Sequence, residues 1–561
     1  MTTTSLADVI SRLRRVEELV QTNAWFAAGF LAYEAAPAFD VAHRVKPATA
    51  PNVPLLWFGL YESVEPFEPP DDFDRAAYSI GPWLPTVTWP EYERAIDTIK
   101  QHIADGETYQ VNYTYRLRAP FQGDAWPLFL SLARKQPVGY AAYVDLGTHV
   151  VCSASPELFF QLSGRTLMSK PMKGTAARGR TLTEDQAQAE WLLHSEKNRA
   201  ENVMIVDMIR NDVGRIAEVG SVTVPQLFEV ERYPTVLQMT STVQAQTDKS
   251  LTDIMTALFP CASITGAPKV RTMQLIAELE TTPRGVYTGC IGYLTPQREA
   301  QFNVAIRTVT IDRATGQAEY GVGGGIVWDS DAADEFRECE IKTRVLTQPA
   351  RRFDVIEAML WTPDEAYFLL ERHLARLAES AAYFNIPIDL HAIQNQLADF
   401  GATLTLVAHK VRVSVTQRGR VSLTAVPLSE IPLPPVMRVA LAAQPIDSSN
   451  VFLYHKTTRR DVYDAARAAR PDCDDVVLWN ERGEITESTI ANVVVELNGQ
   501  RYTPPVECGL LPGTFRADLI ARGLIHERVI LKEELRAASR VWLINSVRGW
   551  LDVQLTMTNE Q

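Results

Sequence analysis

The chain has 561 residues, 46% of them hydrophobic and 22% charged, with a formal net charge of −13 and a pI near 5.3. That length can bury several cores, on a prior of about 100 to 200 residues per domain, while the acidic balance lacks the basic face that nucleic-acid phosphates require. There is no apolar run of the ~18 residues that a membrane span needs, no secretory leader pattern in Met1 to Val9, and no C-x-x-C pair among six scattered cysteines, so a cytoplasmic protein with reduced thiols is the expectation.

Glu91 to Asp105 carries Ala95, Ile96, Ile99 and Ile103 at helical spacing and stops at Gly106; Tyr109 to Arg116 then reads as a strand. Further strands are predicted at 139–144, 149–153, 221–224 and 303–312, separated by helices at 184–210, 251–258 and 269–280. This mixture, without internal repeats, indicates an α/β or α+β body. In the helix around Asn198 to Asp207 the apolar face takes Val203, Val206 and either Ile205 or Ile209, which leaves Glu201 at its edge. Asp334 to Lys342 reads as another helix, with Glu335, Glu338 and Lys342 on one face and Glu340 elsewhere. Pro349, in Thr347-Gln348-Pro349-Ala350, closes a first region of residues 1–348. A second starts near Arg352, and the stiff segment Ile431-Pro432-Leu433-Pro434-Pro435 divides it into subdomains of about 352–430 and 436–561. A crevice between two such subdomains is a usual place for a ligand.

Several segments carry chemistry but leave alternatives open. Lys173, between the Pro171 turn and Gly174, suits nucleophilic work. Carboxylates from two helices, Glu201 and Glu338, suit Mg²⁺ completed by water and substrate, or are simply solvated faces. The run Gly321 to Ile326 fails the dinucleotide fingerprint, since Ile326 stands at the third glycine; it reads as a backbone cradle for a carboxylate or as a tight strand crossing. Gly266-Ala267-Pro268-Lys269 lacks P-loop spacing. Lys456, in His455-Lys456-Thr457-Thr458-Arg459-Arg460, reads by itself as a surface lysine.

Taken in order, Ser155-Pro156-Glu157, Pro171 to Thr175, Ile209 to Arg215, Ser263 to Lys269 and Gly323 to Val327 resemble the chorismate-utilising enzymes, over about Tyr109 to Arg344. The resemblance implies a β-sandwich core with surrounding helices. Within that family Pro171-Met172-Lys173-Gly174-Thr175 is similar to the aminodeoxychorismate synthase component I type, whereas anthranilate synthases carry alanine at the matching position. It further implies that Lys173 attacks C2 of chorismate, that Glu157 is general acid/base for the leaving 4-hydroxyl, and that ammonia then enters at C4. By the same resemblance Glu201 and Glu338 are Mg²⁺ ligands, Arg307 and Gly323, Gly324 and Gly325 contact substrate carboxylate, and Thr175, Thr265 and Lys342 line the pocket. The attacking amine must be neutral, so burial or neighbouring cations are expected around Lys173. Relatives carry a histidine soon after the segment matching Tyr233 to Val236; here Leu237-Gln238-Met239 follows, with Gln238 as a possible substitute. Gly29 to Ala36 also looks like a family segment, and the tryptophan pocket of some relatives is left open. With no glutaminase nucleophile context in the chain, ammonia is expected from a separate glutamine amidotransferase subunit.

Arg372 to Leu377, Lys456-Thr457-Thr458, Asn480 to Thr489 with Asn492, and Gly509 to Arg516 resemble the PLP enzymes of the branched-chain aminotransferase and aminodeoxychorismate lyase type, fold type IV, over about Phe353 to Val553. The resemblance implies that Lys456 anchors PLP, that Glu487 pairs with the ring nitrogen, and that Arg376 with Gly513 and Thr514 holds the phosphate. Tyr463 is a further candidate contact. Relatives begin with an extra strand that is cut short here. The expectation is thus an α+β chain that turns chorismate into 4-aminobenzoate in two steps, with Mg²⁺ and PLP, without nucleic acid or membrane, and with dimerisation through the PLP region. The alternatives are an anthranilate-type synthase joined to an amino-acid transaminase, a synthase whose lyase half is inactive, and a non-enzymatic scaffold.

Overall fold

The computed structural model describes residues 1–47, 53–70, 77–136, 139–347 and 352–556; the junction expected at 347–350 lies outside them from Gln348 onward. Two compact units emerge, one of Met1–Ala177 with Ala189–Ala350, the other of Arg178–Gln188 with Arg351–Gln561. The assignment of Arg178–Gln188 to the second unit was not legible in chain order.

The first unit contains a ten-stranded and an eight-stranded sheet. In the larger one, Leu56–Tyr61, Phe26–Leu31, Cys290–Leu294, Glu299–Val304, Leu158–Ser163, Thr166–Lys170, Val236–Gln246 and Met172–Ala177 lie side by side in that order. In the smaller, Gln110–Gly123, Gln317–Ile326, Thr308–Asp312, His149–Ser155 and Tyr140–Asp145 are neighbours. The sheets meet where Phe30 and Ile291 of one face Val151, Ala142 and Val144 of the other. Helices close the outer faces: Leu6–Asn23 buries Val9, Leu13, Val16 and Val20 at spacings of four, three and four. Each such side chain contributes about 1.5–3 kcal/mol by leaving water, as an upper figure. Trp89–Ala104 starts two residues before its expected position, because Thr88 and Glu91 form a capping box and proline occupies the first turn. The stretch 303–312 is two strands separated by a kink at Arg307, and 184–210 is two helices, Leu182–His194 and Glu196–Gly214.

The second unit carries a four-stranded antiparallel sheet, Ala366–Tyr367, Val355–Thr362, His409–Val415 and Val421–Pro427. Its other sheet runs Ile485–Ser488, Asp475–Trp479, Met437–Leu441, Gly549–Leu555, Arg540–Asn545 and Asn492–Leu497, then Gln500–Thr503 and His526–Glu527. Ile485–Ser488 also pairs with Asn492–Leu497 through Glu487 and Asn492, which closes six strands into a barrel. Among the described residues no helix is long and apolar enough to cross a membrane.

Candidate active sites

Lys173 lies in Met172–Ala177, the final strand of the ten-stranded order. Register against Val236–Gln246 shifts between Met172 and Thr175, and Gly174 has φ +100. A bulge of this kind bends a strand and re-aims a side chain, and glycine alone adopts that backbone cheaply. From the helix Glu196–Gly214, Asn202 donates to the Lys173 carbonyl (3.1 Å) and accepts from Ser241 Oγ (2.6 Å). That anchor brings the preceding residue alongside: Glu201 Oε2 is 3.5 Å from Lys173 Nζ. The buried face of this helix is Asn202, Ile205, Val206, Ile209, Asp212 and Val213, so Val203, at 38% exposure, is not part of it. The group beside the Lys173 amine is a carboxylate rather than a second cation.

Glu157 follows the strand His149–Ser155 and is buried. Ser263 Oγ donates to it at 2.6 Å, and the Met172 N–H also donates. Burial pushes its carboxyl up to about 7, against these hydrogen bonds and the Lys173 charge, which pull it down. A carboxyl near 7 can hold a proton and release it at neutral pH, as a general acid/base must.

The opposing wall is the strand Gln317–Ile326, in register with Gln110–Gly123 so that Gly325 faces Asn112. A Cβ on Gly325 would lie 2.7 Å from Lys173 Nζ and 2.6 Å from Gln110 Nε2, and one on Gly324 would lie 2.8 Å from Glu335 Oε2. Gly323 is needed for a different reason, since its Cβ would strike the Tyr113 carbonyl at 2.2 Å. Close approach to reactive side chains and a tight strand crossing thus both apply to this run. The helix Ala332–Thr347 supplies the carboxylates: Glu338 pairs with Lys342 at 2.8 Å, Lys342 Nζ donates to the Gly323 carbonyl at 2.9 Å, and Glu335 accepts from Ser330 at 2.7 Å. The Lys342 charge holds Glu338 below its ordinary range, while burial, aided by Glu338, pushes Glu335 up.

Arg307 has φ +51, and its guanidinium makes no ion pair or hydrogen bond among the described residues. Burial lowers its proton affinity. A half-buried cation without a counter-ion among the described residues suits an anionic ligand. Thr175 donates to Gln238 Oε1 (3.1 Å), and Gln238 Nε2 donates to the Gly174 carbonyl (2.8 Å), so Gln238 braces the bulge that carries Lys173. The Thr265 hydroxyl is engaged by the carbonyls of Cys261 and Ala262 in its own turn. Sequence reasoning missed Gln110, which is fully buried with neither amide atom hydrogen-bonded. Its place at the start of a strand was readable, but its neighbours Gly325 and Lys173 come from distant strands.

In the second unit, Lys456 holds the backbone N–H of Ile356 through its carbonyl (2.9 Å), while its Nζ has no hydrogen bond or ion pair among the described residues. Burial, with the Arg376 charge, lowers this amine to about 8. Glu487, at the pair closing the barrel, accepts from Tyr463 Oη (2.7 Å) and Leu511 N–H (3.1 Å) on Oε1, whereas among the described residues Oε2 meets only Asn492, at 3.5 Å. Burial pushes it up to about 7. Gly513 caps the helix Thr514–Ala521, and a Cβ there would lie 1.9 Å from Asn492 Oδ1. Arg376 reaches this turn by donating to the Pro512 carbonyl (3.0 Å), but Nε and Nη2 are committed to Glu357 (2.8 and 2.7 Å). His373 continues the network, with Nδ1 at 2.7 Å from Glu357 and Nε2 at 3.2 Å from Thr514. Burial opposes the Glu357 charge, yet Arg376 and His373 hold its carboxyl down to about 2. The role of Glu357 was not foreseen, because it lies in a strand whereas His373 and Arg376, which it holds, lie in the helix Leu370–Tyr383.

Residues 2–348 match the family described as chorismate binding enzyme. The chain belongs to that family. In this chorismate binding enzyme a further stretch, 354–555, matches the family described as amino-transferase class IV. Curated relatives include an aminodeoxychorismate synthase of Streptomyces griseus, 46% identical over 258 residues, which are 46% of this chain and 35% of the relative. Aminodeoxychorismate synthase component 1 of Escherichia coli is 39% identical over 285 residues, 50% of this chain and 62% of the relative. The chain therefore spans about a third to three-fifths of these relatives' length. Among solved structures, anthranilate synthase component I from Streptococcus pneumoniae superposes with a TM-score of 0.53 at 27% identity, covering 60% of this chorismate binding enzyme and 85% of that chain.

Proposed function

We propose that the first unit aminates chorismate at C4 and that the second removes pyruvate from the product, leaving 4-aminobenzoate. The observation that carries the first half is the crevice where Lys173 Nζ, Glu201, the Gly325 backbone and a protonatable Glu157 converge. Relatives named aminodeoxychorismate synthase at 39–46% identity support the same reading. Lys173 Nζ forms a bond to C2 as the ring double bond shifts and the C4–O bond breaks; Glu157 gives its proton to the departing hydroxyl, which leaves as water. Ammonia then bonds to C4, the C2–N bond breaks, and Lys173 is regenerated. Arg307 takes a substrate carboxylate. Glu201 and Glu338 offer hard oxygen donors of the kind Mg²⁺ takes, and the burial that raises Glu335, near Glu338, is the kind a cation relieves; among the described residues no three such side chains cluster, so water and substrate oxygens would complete the site. When bound, Mg²⁺ supplies charge neutralisation for substrate carboxylate. The relative named component 1 supports ammonia delivery by a separate glutamine amidotransferase subunit.

In the second unit the residues fit PLP: an unpaired amine at Lys456, an open Glu487 Oε2 for a ring N–H, and Arg376 with Gly513 and Thr514 at a helix N-terminus for phosphate. When bound, PLP supplies an electron sink for C–H cleavage. Lys456 Nζ takes the C4 proton of the amine, the C3–O bond breaks, pyruvate departs in its enol form, and the ring becomes aromatic. Glu487, held by Tyr463 and Leu511, keeps its open oxygen oriented. A cytoplasmic location and dimerisation through the second unit belong to the same reading. Purified protein given chorismate, Mg²⁺, PLP and an ammonium salt should release 4-aminobenzoate and pyruvate in equal amounts. Anthranilate, or no aromatic amine from any nitrogen source, would overturn the proposal.

A further inference from the structure

Arg178–Gln188 is part of the second unit although 162 residues of sequence separate its last residue from Arg351. Its hold is specific. The Arg178 side chain is 6% exposed, bonded through Nε to Asp185 (2.5 Å) and through Nη2 to the Tyr383 carbonyl (2.7 Å), with its guanidinium 4.4 Å from the Tyr383 ring centre. Tyr383 Oη donates back to the Gly179 carbonyl at 2.6 Å. The Arg180 carbonyl lies 3.2 Å from His455 Nε2, and Ser380 Oγ lies 3.1 Å from His455 Nδ1. Burial keeps His455 neutral, at about 4, so one nitrogen must donate and the other accept. A carbonyl can only accept, which fixes the tautomer: Nε2–H donates to Arg180, and Ser380 donates to Nδ1. Arg180 Nη1 also donates to Tyr454 Oη at 2.8 Å, while its other edge is held by Glu184. The two residues that immediately precede Lys456 are thus both held by this one segment.

We infer that Arg178–Glu184 is a strap that positions Lys456 in the second unit, acting through Tyr454 and His455. The stretch 352–561 is then an incomplete catalytic module, and the bonds from Arg178, Arg180 and Tyr383 are positioning contacts for PLP capture. The inference rests on the reading of Lys456 as the PLP lysine. Among the described residues no other segment of the sequence-predicted synthase region belongs to the second unit.

The test uses the full chain with Arg180→Ala, Arg180→Lys and Tyr383→Phe, freed of PLP and then titrated with it. Three quantities are read: the PLP dissociation constant, the pH midpoint of the visible band of lysine-bound PLP, and ammonia-dependent chorismate consumption. Arg180→Ala and Tyr383→Phe should each raise the dissociation constant about tenfold, equivalent to about 1.4 kcal/mol, and displace the pH midpoint. Arg180→Lys, which keeps a cation against Tyr454 and Glu184, should recover most of the affinity. Chorismate consumption within twofold of the unaltered chain shows that the first unit is folded, and an unchanged circular dichroism melt shows the same of the second. Unchanged affinity and midpoint in both Arg180→Ala and Tyr383→Phe would refute the strap alone. If borohydride trapping in the unaltered chain labels a residue other than Lys456, the strap and the reading beneath it fall together.

Discussion

Replacing Ser263 by alanine should move the pH dependence of the amination upward by about one pH unit. Ser263 Oγ is the first of the groups that lower Glu157, at 2.6 Å, against burial that raises it to about 7. A hydrogen bond to a charged group contributes roughly 1.5–3 kcal/mol, and about 1.4 kcal/mol corresponds to one pH unit. The Met172 N–H and the Lys173 charge remain in the variant, so the lower end applies. The sign follows from the role. The general acid must be protonated, so activity falls as pH rises through its pKa, and a carboxyl deprived of a donor keeps its proton to higher pH. The assay is kcat/KM for chorismate against pH, which reports the free enzyme, at constant free-ammonia concentration so that the nitrogen source does not titrate. The unaltered chain should lose activity near pH 7 and Ser263→Ala near pH 8. A falling limb that stays in place, or moves to lower pH, would refute the assignment of Glu157 as the acid.

Lys173→Ala should abolish the aminodeoxy intermediate, whereas Lys456→Ala should accumulate it, as mass analysis of quenched reactions can distinguish. Gly325→Ala puts a methyl group 2.7 Å from Lys173 Nζ, and because that contact is the far end of a flexible chain, folding should survive while the amination rate drops at least about tenfold. Gln110→Leu removes two buried amide atoms that have no partners, so thermal stability should hold or rise while chorismate turnover falls. Lys456→Met removes an amine lowered from 10.5 to about 8. Below pH 8 both folded and unfolded states hold that proton and the burial cost is fully present, so without PLP the variant should be more stable by up to about 3 kcal/mol. The gain should fade between pH 8 and 10.5, as hydrogen exchange in the barrel strands would report.

The sequence disclosed what depends on local pattern. Ala95, Ile96 and Ile99 marked a helix because apolar spacing is local, whereas its start was placed two residues late because the Thr88–Glu91 capping box was not read. The strand character of 303–312 was also visible, but not the kink at Arg307, since a left-handed arginine has no sequence signal. At the sites, the ordered sets of segments, not single motifs, singled out Lys173, Glu157, Lys456 and Glu487. Their partners were less legible. Ser263 and Gln110 meet residues far away in the chain, and Glu357 meets a helix that folds back over its strand, so tertiary packing decides which of them meet. Glu338 and Lys342 were placed together correctly by helical spacing, whereas the carboxylate that meets Lys173 depends on Asn202 anchoring a helix over a bulge. The assignment of Arg178–Gln188 to the second unit is the extreme case, because nothing in its own composition points to Tyr383 or His455.

The charge balance of the two sites separates their dependence on added groups. Around Lys173 lie Glu157, Glu201, Glu335 and Glu338, with Lys342 as the other cation, and Glu338 is already matched by Lys342 and Glu201 by Lys173. On the proposed reading chorismate brings two carboxylates, of which Arg307 would meet one, and a hard divalent cation held by these carboxylate oxygens would meet the other. The second site has the opposite problem. Lys456 is surrounded by Arg376 and Arg460, with Glu357 already spent on Arg376 and His373, and the arriving phosphate is itself the missing anion. Chelation of divalent metal should accordingly stop chorismate consumption, restored by Mg²⁺, while PLP stays bound and 4-aminobenzoate still forms from supplied aminodeoxychorismate. Loss of PLP on chelation, or amination that persists in the chelator, would contradict this division.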